Sequence, residues 1–118
     1  RMRMQPGATL PTHKHAGEVY AFTLAGAWKY LEYPEVNTAG SYLYEPAGSI
    51  HTLHVLSSNT VPTDVWFAIR GPNLNLDEAG NVSLVLDAGL VLRVYLSRCR
   101  KMGLPRPAVL GAGASPGA

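Results

Sequence analysis

At 118 residues the chain has room for one hydrophobic core and no second one. Apolar residues make up 47% and charged residues 15%, with a formal charge of +2, so a disordered chain is excluded and no strongly basic or acidic surface is on offer. The one basic cluster, Arg98, Arg100 and Lys101, is too short for a nucleic-acid surface, and no apolar run is long enough for a membrane-spanning helix or a signal peptide. Cys99 stands alone, which rules out an internal disulfide and a cysteine-rich zinc site and fits a reducing, cytoplasmic setting. The chain opens Arg1-Met2-Arg3-Met4 instead of with an initiator Met, as a piece of a longer protein would.

In chain order, short strand-like segments alternate with turns as far as about Asn81. Gln5-Pro6-Gly7 is a turn, and Thr9 to His15 alternates around Pro11. Glu18 to Leu24 is apolar and aromatic up to Ala25-Gly26. Ala27 to Tyr33 follows and stops at Pro34. Asn37 to Gly40 reads as a turn, Ser41 to Tyr44 as a strand closed by Pro46-Ala47-Gly48, and Ile50 to Leu56 as the next strand. Asp64 to Arg70 is strongly strand-like, Gly71-Pro72-Asn73 breaks it, and Asp77 to Asn81 is a turn. Strands this short at this spacing predict an antiparallel barrel or sandwich, and closure into a barrel would remove exposed edges.

From Asp87 the pattern changes. Leu90, Val91, Val94, Tyr95 and Leu96 recur at helical spacing, with Asp87 as the N-cap, Arg98 to Lys101 in the last turn and Gly103 and Pro105 as the stop. The expected layout is one domain over residues 1–107, with strands over about 1–86, a helix over about 87–101, and a loose tail over 108–118.

His13 and His15 are two apart on an expected strand, so strand alternation puts both imidazoles on one face. His51 lies in another strand, after the tight turn at Pro46-Ala47-Gly48, and a third imidazole brought in from across a barrel would complete a facial set with open positions for substrate or oxygen. A histidine read singly is more often a surface or core residue than a ligand, and the His13/His15 pair read by itself is as often one as the other. His54, three residues on from His51, falls on the opposite strand face.

The frame around these histidines resembles the cupin superfamily. The first cupin motif reads here Gly7-ATLPT-His13-Lys14-His15-AG-Glu18-VYAFTLA-Gly26, and the second reads Gly40-SYLYE-Pro46-Ala47-Gly48-SI-His51. Two departures stand out. Glu18 follows His15 after only two residues, so strand parity turns it away from His13 and His15, leaving it a hydrogen-bond acceptor behind the ligands or an exposed residue. Val55 occupies a position that often carries Asn. The resemblance therefore implies an all-β jelly-roll barrel, here with a C-terminal helix, whose metal ligands are His13, His15 and His51 without a carboxylate.

Within the cupins the wording is similar to the 2,4'-dihydroxyacetophenone dioxygenases, relatives of the ChrR-type cupins. The likeness runs through His13-Lys-His15-Ala-Gly-Glu18, Gly26-Ala-Trp28-Lys-Tyr30-Leu-Glu32-Tyr33 and Gly40-Ser-Tyr-Leu-Tyr-Glu45-Pro46-Ala-Gly48-Ser-Ile-His51-Thr-Leu. It implies a non-haem Fe(II) enzyme that uses O2 to cleave the carbon–carbon bond beside the ketone of a small aromatic hydroxy-ketone, giving 4-hydroxybenzoate and formate. Parity groups Trp28, Tyr30 and Glu32 on one strand face. Tyr30 is a candidate to hydrogen-bond oxygen or a phenol, Glu45 a candidate base or anchor, and Trp66 and Trp28 candidates to meet the substrate ring. The alternatives are a zinc-binding, ChrR-like regulatory cupin, and a metal-dependent isomerase or hydrolase. A homo-oligomer is expected from the open strand edges of a small cupin.

Overall fold

The structure is a computed structural model that describes residues 1–111. Eleven strands and one helix follow in order: β1 (Met2–Met4), β2 (His13–His15), β3 (Val19–Ala25), β4 (Ala27–Tyr30), β5 (Val36–Thr38), β6 (Tyr42–Glu45), β7 (Ile50–His51), β8 (Leu53–Val55), β9 (Thr63–Ile69), β10 (Asn73–Leu76), β11 (Val82–Leu86) and α1 (Ala88–Lys101). The strands form three sheets, ordered β1-β9-β3-β6, β11-β10-β2-β7 and β5-β4-β8. The pairings with a described register are antiparallel, as short strands joined by tight turns require.

The expected barrel is not closed. Each sheet keeps two edge strands, so the architecture is jelly-roll-like, with sheets facing one another, and not a continuous ring. Four strands are not among those named from the sequence, and the first of them is Met2–Met4, which pairs with β9. Val36–Thr38 pairs with β4 where a turn was expected, and Asn37 lies opposite Trp28. Asn73–Leu76 carries two asparagines, a poor strand signature, but β2 supplies a free edge and Asn73 pairs with His15. Val82–Leu86 extends the same sheet outward, just before the helix.

The core lies between inward rows of two sheets. Met4, Ala21 and Val65 come from the first sheet, and Trp28, Tyr30, Leu53 and Val55 come from the β5-β4-β8 sheet. Trp28 is fully buried, donates from Nε1 to the Thr23 hydroxyl at 2.9 Å, and meets the edge of Tyr30. Burial of such a ring with its one polar atom satisfied contributes strongly to the core. Gly26 turns β3 into β4 at φ 79°, and a Cβ there would lie 2.3 Å from the Thr63 hydroxyl oxygen, so only glycine fits.

The chain divides into two compact units, Arg1–Val85 and Leu86–Ala118. In the second, Asp87 caps α1 by accepting from the Leu90 amide at 2.7 Å. The helix ends as the sequence predicts: the Gly103 amide donates to Arg100 and the Leu104 amide to Cys99, with Gly103 at φ 69°. The expected tail at 108–118 falls partly outside the described residues. Among those described, no helix is long and apolar enough to cross a membrane.

Candidate metal centre

Strand β2 has the burial pattern in–out–in, which points His13 and His15 the same way and leaves Lys14 outside. His51 reaches them differently from the sequence expectation. It does not come from across a barrel; β7 pairs directly with β2, and His51 stands opposite His13 in the register. The turn between β6 and β7 enforces this. The Gly48 amide donates to the His15 carbonyl at 2.8 Å, and the His15 amide donates to the Ser49 carbonyl at 3.0 Å. Gly48 sits at φ 87°, a conformation L side chains avoid. The two histidine segments are thereby stapled backbone to backbone.

The three imidazoles pack with ring centroids 4.8 to 5.0 Å apart, and one ligand atom from each lies within 4.8 Å of the others. All three are buried, at 6%, 4% and 1% exposure for His13, His15 and His51. The Nδ1 of His13 lies 2.9 Å from the Pro11 carbonyl, which can only accept; Nδ1 therefore carries the proton and the Nε2 lone pair is free. Pro11 was not foreseen in this role, and its only sequence signal is its place two residues before His13.

Two more residues complete the cluster. Tyr30 from β4 stacks on His51, with centroids 3.7 Å apart and planes 17° from parallel. Its hydroxyl donates to Glu45 Oε1, and Glu45 comes from β6 in a third sheet. Glu45 Oε2 lies 3.4 Å from His15 Nε2 and 3.5 Å from His51 Nε2. Neither Glu45 Oε2 nor His51 Nε2 has a hydrogen-bond partner, although both are buried.

Burial keeps His15 and His51 neutral. Burial, and then the neighbouring His13, lower His15 to about 4. Burial, and then His13 and His15, lower His51 to about 3, against a smaller upward pull from Glu32. Burial raises Glu45, with the Tyr30 hydrogen bond pulling the other way. Burial also holds the Tyr30 phenol far above its ordinary range, helped by Glu45, so it stays a donor. Buried, unpaired lone pairs and a carboxyl oxygen facing one another form a set a divalent cation satisfies, and the residues present fit such an ion.

The remaining candidates lie elsewhere. Trp66 alternates away from the buried Val65 and is half exposed on the outward side of β9, so it is not brought to the imidazoles. Trp28 is on the inward side but is enclosed in the core, with its Nε1 committed to Thr23. Glu18 accepts from the Tyr20 and Tyr44 hydroxyls at 3.3 and 3.4 Å, on the outward side of its sheet, as parity predicts. Glu32 leaves the alternation after Tyr30 and accepts from the Thr52 amide at 2.9 Å. His54 faces away from His51 and lies 2.8 Å from the Thr9 hydroxyl.

Comparison with known proteins agrees with this arrangement. Residues 1–68 match the family described as the ChrR cupin-like domain. A protein of unknown function with a cupin-like fold from Ralstonia eutropha JMP134 is 38% identical over 93% of this chain and 70% of its own, with a TM-score of 0.80. An RmlC-like cupin protein from the same organism is 28% identical over 90% of this chain and 68% of its own, with a TM-score of 0.81. An acetylacetone dioxygenase from Acinetobacter johnsonii shares the fold at 20% identity, covering 80% of this chain and 64% of its own, with a TM-score of 0.72. No curated protein sequence matches the chain.

Proposed function

The chain belongs to the ChrR cupin-like domain family, and we propose that within that family it is an oxygen-dependent enzyme in which His13, His15 and His51 hold Fe(II). The observation that carries the proposal is the buried trio of imidazoles beside a carboxyl oxygen that no donor satisfies. Three neutral ligands leave the charge of a divalent ion uncompensated, so an anionic oxygen ligand from a substrate completes the balance. An acetylacetone dioxygenase with the same fold fits this reading. The substrate class is a small aromatic hydroxy-ketone. For 2,4'-dihydroxyacetophenone the reaction with O2 breaks the bond between the carbonyl and hydroxymethyl carbons, and both oxygen atoms end in the products, 4-hydroxybenzoate and formate.

A bound iron(II) would relay electrons from the substrate to O2, a transfer that a closed-shell substrate cannot make unaided. The chain's own residues do the rest. Glu45 Oε2, close to two of the imidazoles, is placed to take the proton of the substrate hydroxyl; burial raises its proton affinity. Tyr30 keeps that carboxyl in position through Oε1 and fixes the ring plane of His51 by stacking. The Pro11 carbonyl fixes the tautomer of His13.

The test is oxygen uptake by iron(II)-loaded protein with 2,4'-dihydroxyacetophenone, with chromatographic analysis for 4-hydroxybenzoate and formate. Uptake with both products is expected, and no uptake from fully loaded protein removes the dioxygenase reading. Zinc binding without oxygen uptake would favour a ChrR-like regulatory domain, a second reading supported by the family match and by a three-imidazole set that also suits zinc. Turnover under anaerobic conditions would favour an isomerase or hydrolase.

A further inference from the structure

Asn73 closes the Gly71-Pro72-Asn73 break and opens β10, directly opposite His15 of β2. Two bonds mark the hydrogen-bonded positions of this strand pair. The Leu76 amide donates to the Thr12 carbonyl at 2.8 Å, and the Ala16 amide donates to the Pro72 carbonyl at 3.2 Å. Such positions alternate along an antiparallel ladder, so Asn73 and His15 face each other at a non-hydrogen-bonded position. There the two side chains leave the sheet on the same side and come closest, with Cβ atoms about 5 Å apart. His15 is on the imidazole side of the sheet, and Asn73 is there with it. The backbone holds this register from the near end as well. The Arg70 amide donates to the Glu18 carbonyl at 2.9 Å, and a Cβ on Gly17 would lie 2.2 Å from the Arg70 carbonyl oxygen.

Each member of this facing pair has a buried polar atom without a partner. Among the described residues, neither His15 Nδ1 nor Asn73 Oδ1 makes a hydrogen bond. The two atoms are chemically complementary. His15 Nε2 is turned to Glu45 Oε2 at 3.4 Å, the same oxygen that His51 Nε2 faces at 3.5 Å, so Nε2 is the ring nitrogen on the metal side. Nδ1 lies on the ring edge next to Cβ, close to the ladder. A neutral imidazole carries a proton on one nitrogen and a lone pair on the other. A bare Nε2 for the ion therefore requires a proton on Nδ1, and a buried N–H requires an acceptor. The carboxamide oxygen of Asn73 is an acceptor that no donor occupies.

We infer that Asn73 is the positioning residue of His15: its Oδ1 accepts from His15 Nδ1–H, holds the tautomer that leaves Nε2 bare, and fixes the plane in which Nε2 meets the ion. A turn of the carboxamide about its own side-chain bonds closes the contact. Cβ atoms about 5 Å apart leave room for one hydrogen bond of about 2.9 Å between the two atoms. The inference rests on reading His15 as a metal ligand and does not depend on oxygen chemistry. It gives each histidine of β2 its own acceptor. His13 Nδ1 has the Pro11 carbonyl at 2.9 Å, a backbone group on the same strand segment. His15 has no such carbonyl in hydrogen-bond reach and takes a side chain from the neighbouring strand. Acceptors placed behind metal-bound imidazoles are worth about 10- to 100-fold in metal affinity.

The tautomer can be read directly. Long-range proton–nitrogen correlation spectra of the metal-free, isotope-labelled full chain show which ring nitrogen of each histidine carries the proton, and His15 is expected to carry it on Nδ1. Zinc(II) affinity is measured by competition with a chromophoric chelator. Asn73→Leu keeps the bulk and removes the acceptor. It is expected to weaken zinc binding about 10- to 100-fold and to mix the His15 tautomers, while His13, held by Pro11, keeps its own. Asn73→Asp restores an acceptor and is expected to bind zinc at least as tightly as wild type, with His15 again protonated on Nδ1. Wild-type His15 protonated on Nε2 overturns the inference. So does an Asn73→Leu chain that binds zinc as wild type does, or an Asn73→Asp chain that binds as weakly as Asn73→Leu. Unchanged zinc affinity with a raised KM for 2,4'-dihydroxyacetophenone would assign Asn73 to the substrate and likewise overturn it. Where the Leu variant fails to fold, the wild-type spectrum and the Asp variant decide. A wild-type chain that binds no zinc removes the metal centre, and this inference with it. Neither measurement uses oxygen, so a chain that gives the expected results without oxygen uptake loses the dioxygenase reading and keeps this one.

Discussion

Replacing Tyr30 by Phe isolates the hydroxyl that joins the β5-β4-β8 sheet to Glu45. The ring is retained, so its stack on His51 and its edge contact with Trp28 survive. What is lost is the donor to Glu45 Oε1. Glu45 is 4% exposed and its Oε2 already has no partner, so the substituted protein buries a carboxyl with both oxygens unsatisfied. A hydrogen bond to a group of this kind contributes about 1.5 to 3 kcal/mol. At about 4 °C per kcal/mol for a chain of this length, Tm should fall by about 6 to 12 °C in metal-free protein. The Tyr30 hydrogen bond lowers Glu45, so its removal should also carry the Glu45 pKa further upward. Differential scanning calorimetry of metal-free wild type, Tyr30→Phe and Tyr30→Leu separates the contributions. The Leu variant should fall further still, since it also removes the stack and leaves a cavity, for which about 3 to 5 kcal/mol is typical of a lost aromatic ring. A Tyr30→Phe protein that melts within a degree of wild type would refute the argument, and so would Phe and Leu variants of equal stability.

Four further outcomes are expected. A divalent first-row metal at a hundred times its Kd should stabilise wild type by about 2.7 kcal/mol, or about 10 °C in Tm, and His51→Ala should show almost none of that shift in a thermal melt. Metal-free protein should lose stability as pH falls from about 6.5 towards 3 or 4. His15 and His51 are lowered in the folded state, so the unfolded chain binds more protons through that window. Urea titrations at pH 7.5 and 5.0 should differ by up to about 2 kcal/mol for each histidine, and His51→Gln should shrink the difference. Gly26→Ala should cost about 2 to 5 kcal/mol in urea unfolding, because it combines left-handed backbone with a clash against Thr63, whereas Gly40→Ala, with open space around its Cβ, should cost about 1 to 2. Gly103→Ala should cost about 1 kcal/mol through loss of the helix stop, read as a fall of about 4 °C in Tm.

Much of the site was legible because strand parity is local. The spacing of His13 and His15 fixes a shared face whatever the tertiary fold, and the same rule correctly turns Glu18 and His54 away. The helix was legible for a similar reason: its cap, periodicity and stop all lie within a span of seventeen residues, Asp87 to Gly103. What was not legible depended on pairing between distant segments. Nothing in the residues of β10 marks a strand; it is one because β2 presents an edge to it. Parity placed Tyr30 and Trp28 on one face correctly, yet only the assembled sheets show that Tyr30 reaches the histidines while Trp28 is spent in the core. Trp66 illustrates the limit from the other side. Its residue type suggests a ring-binding wall, but one step of register from Val65 sends it outward.

The route by which His51 arrives bears on how the centre behaves. A ligand brought from across a barrel would depend on the packing between sheets, and small shifts in the core would loosen the metal. Here His51 is cross-strand to His13, and the turn that leads into β7 is bonded at both its Gly48 amide and its Ser49 carbonyl to His15. The spacing among the three imidazoles is therefore set by ladder hydrogen bonds within one sheet, which hold their geometry more tightly than side-chain packing does. The carboxyl of Glu45 and the ring of Tyr30 come from the other two sheets, so their position relative to the imidazoles does depend on inter-sheet packing. Core substitutions such as Leu53→Ala should accordingly displace Glu45 and Tyr30 more than they displace the three imidazoles from one another. If the proposed dioxygenase activity holds, a core that has loosened should lose oxygen uptake while it still binds iron(II).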